Sequence, residues 1–358
     1  MLINLSKQMN YRLLLFTFFT ISTVFSQQTY YDDVNLTLSG MALKSELSNK
    51  IITTHTNNLS YAEVWNALKI TDLVPGSSTD LYLVYGYSDV DGDVTTDLTR
   101  DKNSNGGSVG DWNREHVYPK SLGIPDLGTS GPGADAHMLR SSDVQRNGMR
   151  GNMKFIDGAG VSQSISGGWY PGDEWKGDMA RIIMYMYLRY ESRCLPINTG
   201  VGTSVSIDPD MIDLFLEWNA EDPVSLYEEV RNDYLGTTSN QFGQGNRNPF
   251  IDNPYLATKI WGGTAAEDIW GIYASVAESD LNNSIAVYPN PVDDILTIEL
   301  DEELNLESVN IYSLSGKLIY SELSATSKEH NVSYLESGVY MIEVVTNSGT
   351  VFEKIIVN

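Results

Sequence analysis

The chain has 358 residues, 41% hydrophobic and 20% charged. That composition excludes the disordered and fibrous classes and is long enough for two ordinary domains. Its 23 Lys+Arg stand against 47 Asp+Glu, a net of −24, which by itself argues against phosphate-binding functions, because attraction to polyanions needs positive potential.

The acid is unevenly spread. Residues 281–358 hold 12 acids and 3 bases, whereas residues 111–154 hold six bases and five acids. The one balanced stretch is also the most informative one. A single cysteine, Cys194, excludes an internal disulfide framework. Nothing near it in sequence activates a thiolate, so it reads as a buried small hydrophobe.

In chain order, Lys7 and Arg12 precede the apolar run Leu13–Ile21, and small residues lead to Ser26 before Gln27. This is the pattern of a removable signal peptide over residues 1–26. The run is too short for a transmembrane helix, and no later stretch qualifies. Apolar residues from Met41 to Leu68 recur at three- and four-residue intervals and predict helix over 41–70. Leu81-Tyr82-Leu83-Val84-Tyr85 predicts a short buried strand, followed by a polar, glycine-rich loop from Ser88 to Gly110. Farther on, a helix is expected to open at Asp173–Asp178, with Met179, Ile182, Ile183, Met186 and Tyr190 on one face. Two more are expected around 211–218 and 224–233. The helical region ends near Trp261, residues 263–283 read as a linker, and after them short alternating runs separated by Ser-Gly turns predict a small β-sandwich.

Two segments carry chemistry. The first is Asp111-Trp112-Asn113-Arg114-Glu115-His116-Val117-Tyr118-Pro119-Lys120-Ser121. It reads as a strand ending abruptly at the proline. Adjacent strand residues face opposite ways, so Glu115 and His116 share a site only if the chain bends there. The second runs from Ala134 through Asp135-Ala136-His137-Met138-Leu139 to Asn147-Gly148-Met149-Arg150-Gly151-Asn152. Its first part reads as a strand. Ser141 or Ser142 is the candidate cap of a helix that carries Asn147 and Arg150 three apart on one face.

Together these supply what phosphodiester hydrolysis needs. The Glu115 carboxylate and the Asn147 amide oxygen are hard ligands suited to Mg²⁺ or another divalent cation that keeps several waters. A neutral His116 can take a proton from the attacking water. Arg114, Arg140 and Arg150 are the candidates for holding phosphate. His137 is expected to pack near the site rather than act as a base.

Asn113-Arg114-Glu115-His116-Val117-Tyr118-Pro119 resembles the signature of the endonuclease I family, and the second segment resembles that family's next block. Lys176-Gly177-Asp178-Met179-Ala180-Arg181 and Gln244 through Asp252 resemble its downstream blocks. The resemblance implies an α+β fold: a mainly helical domain over 27–262 with an embedded ββα-metal (His-Me finger) motif. It implies a sequence-tolerant endonuclease acting on DNA or RNA and leaving 5′-phosphates. His116 would be the general base, with Glu115 and Asn147 on one Mg²⁺. Some members carry an extra arginine between the two segments, but the loop Leu122–Gly133 has none, leaving Lys120 or Arg140 as substitutes. A catalytically weak nucleic-acid- or metal-binding protein on the same fold is the competing expectation. A metallopeptidase is disfavoured by four histidines and no His-Glu-x-x-His pair.

Val287-Tyr288-Pro289-Asn290-Pro291, Ser315-Gly316-Lys317 and Leu335 through Ile342 resemble the C-terminal sorting domain of type IX secretion substrates. That implies export as a secreted or cell-surface protein, with residues 284–358 read by outer-membrane secretion machinery. The working form is expected to be a monomer. Finally, Asp89, Asp91 and Asp93 resemble half of a calcium loop, which sets up a structural Ca²⁺ as an expectation.

Overall fold

The computed structural model describes residues 28–273, 284–301, 304–313, 317–323, 327–347 and 349–358. The expected signal peptide lies outside these residues. No described helix is long and apolar enough to cross a membrane.

Ten short elements build the first half of the larger body: α1 (Gly40–Thr54), α2 (Tyr61–Thr71), β1 (Asp80–Tyr82), β2 (Thr99–Asp101), β3 (Trp112–His116), β4 (Leu139–Asp143), α3 (Val144–Arg150), β5 (Gln163–Ile165), β6 (Gly168–Tyr170) and α4 (Lys176–Tyr190). β7 (Ser204–Val205), β8 (Asp208–Ile212), α5 (Asp213–Glu221), α6 (Leu226–Gly236), α7 (Pro249–Asp252) and α8 (Tyr255–Trp261) complete it. The fold is mixed, combining helices with two-stranded antiparallel ribbons.

The helix expected over 41–70 is two helices. The break comes at Ser60, whose hydroxyl accepts from the Glu63 amide while the Glu63 carboxylate accepts from the Ser60 amide, a reciprocal cap that starts α2. α4 is not the one-faced helix its periodicity predicts. From Gly177 to Leu188 every residue is buried, because neighbouring helices surround it, so its polar members Asp178 and Arg181 need partners inside. Arg181 pairs with Glu228 through two bonds of 2.7 and 2.8 Å, and Asp178 with Arg140 at 2.9 Å.

β1 stops at Tyr82, short of the expected Tyr85, and pairs with β2 inside the stretch read as loop. Leu83 to Tyr85 are buried, but the backbone turns there, with Tyr85 at a φ of 73°. The strand expected at Ala134 begins only at Leu139. Asp135 closes a turn first, its carbonyl accepting from the amides of Met138 and Leu139. Ser141 and Ser142 lie within β4, and Asp143 caps α3 instead, its Oδ1 accepting from the amides of Gln145 at 2.8 Å and Arg146 at 2.9 Å. The expected linker is packed in its first part. Trp270 and Tyr273 are buried in the same core as α8, and the Tyr273 hydroxyl donates to the Leu36 carbonyl. The body therefore runs past Gly262, to Tyr273 at least; residues 274–283 lie outside the description.

The C-terminal region is rich in strands. β9 (Ile285–Tyr288), β10 (Ile295–Leu300), β11 (Leu306–Ser313), β12 (Leu318–Leu323), β13 (Glu329–Asn331), β14 (Gly338–Thr346) and β15 (Gly349–Val357) form two antiparallel sheets, β13-β10-β9 and β12-β11-β14-β15. They bury one set of apolar side chains, among them Leu296, Ile298, Ile311, Ile342 and Val344.

Candidate active site

β3 and β4 pair in a register that sets Glu115 opposite Arg140 and His116 opposite Leu139. The chain then passes directly from β4 into α3. This strand–strand–helix unit brings residues 115, 116 and 147 to the rim of one cleft of about 270 Å³, also lined by Arg114, Lys120 and Asn152. A larger cleft of about 420 Å³, lined by Met41, Lys44, Ser48 and Tyr187 among others, shares no residue with it. His116 is the last residue of β3, so the strand ends where the two adjacent side chains reach the same cleft. The expected bend lies there.

Glu115 is 2% exposed. Its Oε1 accepts from the Tyr85 hydroxyl at 2.8 Å and faces Arg150 Nη1 at 3.2 Å. Burial raises its pKa above the ordinary carboxylate range, opposed by the Arg150 charge and the Tyr85 hydrogen bond.

His116 Nε2 lies 3.0 Å from the Gly133 carbonyl. A carbonyl only accepts, so Nε2 carries the hydrogen and Nδ1 keeps the lone pair. Burial, reinforced by the charges of Lys120, Arg114 and Arg150, lowers its pKa to about 4, which keeps the imidazole neutral at pH 7. Gly133 can reach it because that turn is tight: a Cβ there would stand 2.1 Å from the Gly128 carbonyl oxygen.

Asn147 Nδ2 donates to Asn113 Oδ1 at 2.7 Å. Its own Oδ1 takes no hydrogen bond among the described residues. One carboxylate and one free amide oxygen at a cleft form a donor set for a hard divalent ion that retains water. Among the described residues no group of three or more His, Cys, Asp or Glu could hold a metal, so any ion here rests on this smaller set.

The three arginines part company. Arg114 lines the cleft with its guanidinium carbon 3.4 Å from the Tyr61 ring centre and 4.3 Å from that of Trp65, and Nη1 donates to the Tyr61 carbonyl. Arg150 is fully buried, donating to the carbonyls of His116 at 3.0 Å and Val117 at 2.8 Å. It ties α3 to the end of β3 and does not present itself to phosphate. Arg140, 1% exposed, is committed to Asp178 and the Tyr227 hydroxyl and lines no part of the cleft. Lys120 does line it, and its amine makes no ion pair or hydrogen bond among the described residues.

His137 is buried against Tyr185, with Nε2 2.9 Å from the Asn246 carbonyl. Cys194 is a buried free cysteine. The acidic turn does not match a calcium loop. Asp89 accepts from the amides of Leu98 and Thr99, Asp91 from Thr96 and the Asp93 amide, and Asp93 from Thr95. Those carboxylates cap backbone instead of facing one another around a cation. Tyr85, Asn113 and Gly133 were not legible as site residues. Asn113 at least lay inside the first motif, whereas Tyr85 read as core and Gly133 as loop.

A hydrolytic nuclease is the class this unit belongs to. Residues 39–255 match the family model for endonuclease I, and the chain belongs to that family, for which metal dependence is the rule. Residues 286–358 match the secretion system C-terminal sorting domain. An extracellular ribonuclease of Bacillus subtilis (strain 168) is 44% identical over 244 residues, covering 65% of this chain and 78% of the relative. One from Bacillus amyloliquefaciens is 43% identical over 245 residues, with the same coverage. An ulvan lyase, NLR42, of Nonlabens ulvanivorans is 36% identical over 94 residues, 25% of this chain and 17% of that protein. The protein is a secreted or cell-surface nuclease.

Proposed function

We propose that the cleft hydrolyses internal phosphodiester bonds of both DNA and RNA without strong sequence preference, that β3, β4 and α3 form a ββα-metal (His-Me finger) unit, and that the products carry 5′-phosphates. The observation that carries this reading is the neutral His116, its Nδ1 unprotonated, beside Glu115 and the free Asn147 oxygen in one cleft. The ribonuclease relatives support RNA as a substrate.

Glu115 Oε2 and Asn147 Oδ1 are the atoms that would hold the ion, with Mg²⁺ the cation their hard oxygens favour. Bound there, the ion would screen phosphate charge and would stabilise the departing 3′ oxygen. His116 Nδ1 takes the proton of the attacking water as its oxygen bonds to phosphorus. The P–O3′ bond then breaks, and the 3′ oxygen leaves with a proton from solvent. Arg114, clamped by two rings, and Lys120, whose amine has no partner among the described residues, hold the phosphate oxygens. The working form is taken to be a monomer. Tail residues 286–358 would be read by outer-membrane secretion machinery.

The test is plasmid nicking by the purified mature chain in Mg²⁺ and in EDTA, beside His116→Ala. Nicking that persists in EDTA sinks the metal assignment; nicking by His116→Ala at the wild-type rate sinks the base.

A further inference from the structure

We infer that Tyr85 is a positioning residue for the Glu115 carboxylate, held in an unfavourable backbone conformation in order to deliver its hydroxyl there; this rests on reading Glu115 as a cation ligand. Tyr85 is fully buried and sits at a φ of 73°, a region that bulky L-residues rarely enter. Such a conformation persists only where the surroundings impose it.

Three neighbours do so. The next residue, Gly86, passes so close to Asp97 that a Cβ would stand 2.1 Å from that residue's carbonyl oxygen, and its amide donates back to Leu83. The Ser162 hydroxyl donates to the Tyr85 carbonyl. The ring packs edge-on against Trp169 at 5.4 Å.

Core packing needs the ring but not the hydroxyl, and phenylalanine would fill the same space. The hydroxyl has Glu115 Oε1 as its hydrogen-bond acceptor, at 2.8 Å and thirty residues away in sequence. Arg150 Nη1 approaches the same oxygen at 3.2 Å. The Tyr85 hydrogen bond and the Arg150 charge both act on Oε1, the His116 amide also bonds the carboxylate, and among the described residues no side chain donates to Oε2. A ligand oriented in this way needs no reorganisation when an ion arrives.

The experiment is calorimetric titration of Mn²⁺ into the folded full chain without nucleic acid, for wild type, Tyr85→Phe and Glu115→Gln, with melting temperatures alongside. Tyr85→Phe should keep the melting temperature near wild type yet bind Mn²⁺ roughly 10- to 100-fold more weakly, the usual effect of losing a partner behind a metal ligand. Its nicking rate should drop while the KM for nucleic acid stays put. An unchanged Mn²⁺ affinity in a folded Tyr85→Phe overturns the inference and leaves Glu115 as ligand. If Mn²⁺ binding by wild type does not depend on Glu115, the ligand reading falls first and this inference with it.

Discussion

The Gly133 carbonyl, seventeen residues downstream of His116, accepts a hydrogen bond from that histidine's Nε2 at 3.0 Å. One contact thereby chooses the tautomer and leaves Nδ1 with the lone pair on a residue that lines the cleft. Because a Cβ on Gly133 would collide with the Gly128 carbonyl, Gly133→Ala must displace the turn that carries this acceptor. We expect kcat to fall about 10-fold or more with little change in KM, and His116→Ala to lose on the order of 10²- to 10⁴-fold. Steady-state nicking kinetics on both variants provide the check. A Gly133→Ala enzyme as fast as wild type would mean that the carbonyl does not orient the base.

Asn113 should matter although it lines no part of the cleft. Its Oδ1 holds Asn147 Nδ2 at 2.7 Å and leaves the Asn147 oxygen free. Asn113→Ala lets that amide flip or rotate, so the Mg²⁺ concentration for half-maximal activity should rise roughly 10-fold or more. An unaltered Mg²⁺ dependence would remove Asn147 from the ligand set.

Lys120 and Arg140 are expected to separate cleanly. Lys120→Ala should lower kcat/KM, weaken its dependence on salt and leave the melting temperature alone, since this amine makes no described pair. Arg140→Ala leaves Asp178 buried without that partner and should cost stability of about 3–5 kcal/mol. Parallel melts and salt series would decide. A normal melting temperature with lost substrate affinity in Arg140→Ala would reverse the assignment.

Stability should fall with acid between about pH 6.5 and pH 4, and His137 should account for part of it. Burial lowers its pKa to about 4 in the folded chain, against about 6.5 unfolded. In that window the unfolded chain binds the extra proton, so stability present above pH 6.5 is lost as pH falls towards 4. The full effect is on the order of 3 kcal/mol. His137→Gln keeps a donor for the Asn246 carbonyl and removes the titration. Its melting temperature should therefore drop less between pH 7 and pH 4.5 than that of wild type, and an equal drop would exclude His137 as a source.

Residues close in sequence were the legible ones. Arg114, Glu115 and His116 stand in one run, Asn147 in the other, and both line the cleft. Residues whose role depends on a distant partner were misread. Arg140 and Arg150 look alike as cations near the motif, yet one serves Asp178 and the other the carbonyls of His116 and Val117. The acidic run at Asp89–Asp93 looks like a cation loop until its carboxylates are found on backbone amides.

Residue order alone determined the endonuclease I family, the sorting tail and the chemical types that line the cleft, since each is written in local pattern and spacing. Only the tertiary structure decided which charges face the cleft and which are spent inside. It also decided that α4 is buried on every side, that Trp270 and Tyr273 belong to the core, and that Tyr85 reaches Glu115. The reason is physical. Periodicity reports which side chains avoid water, whereas the partner of a buried polar group is set by which segments, far apart in the chain, are packed against one another.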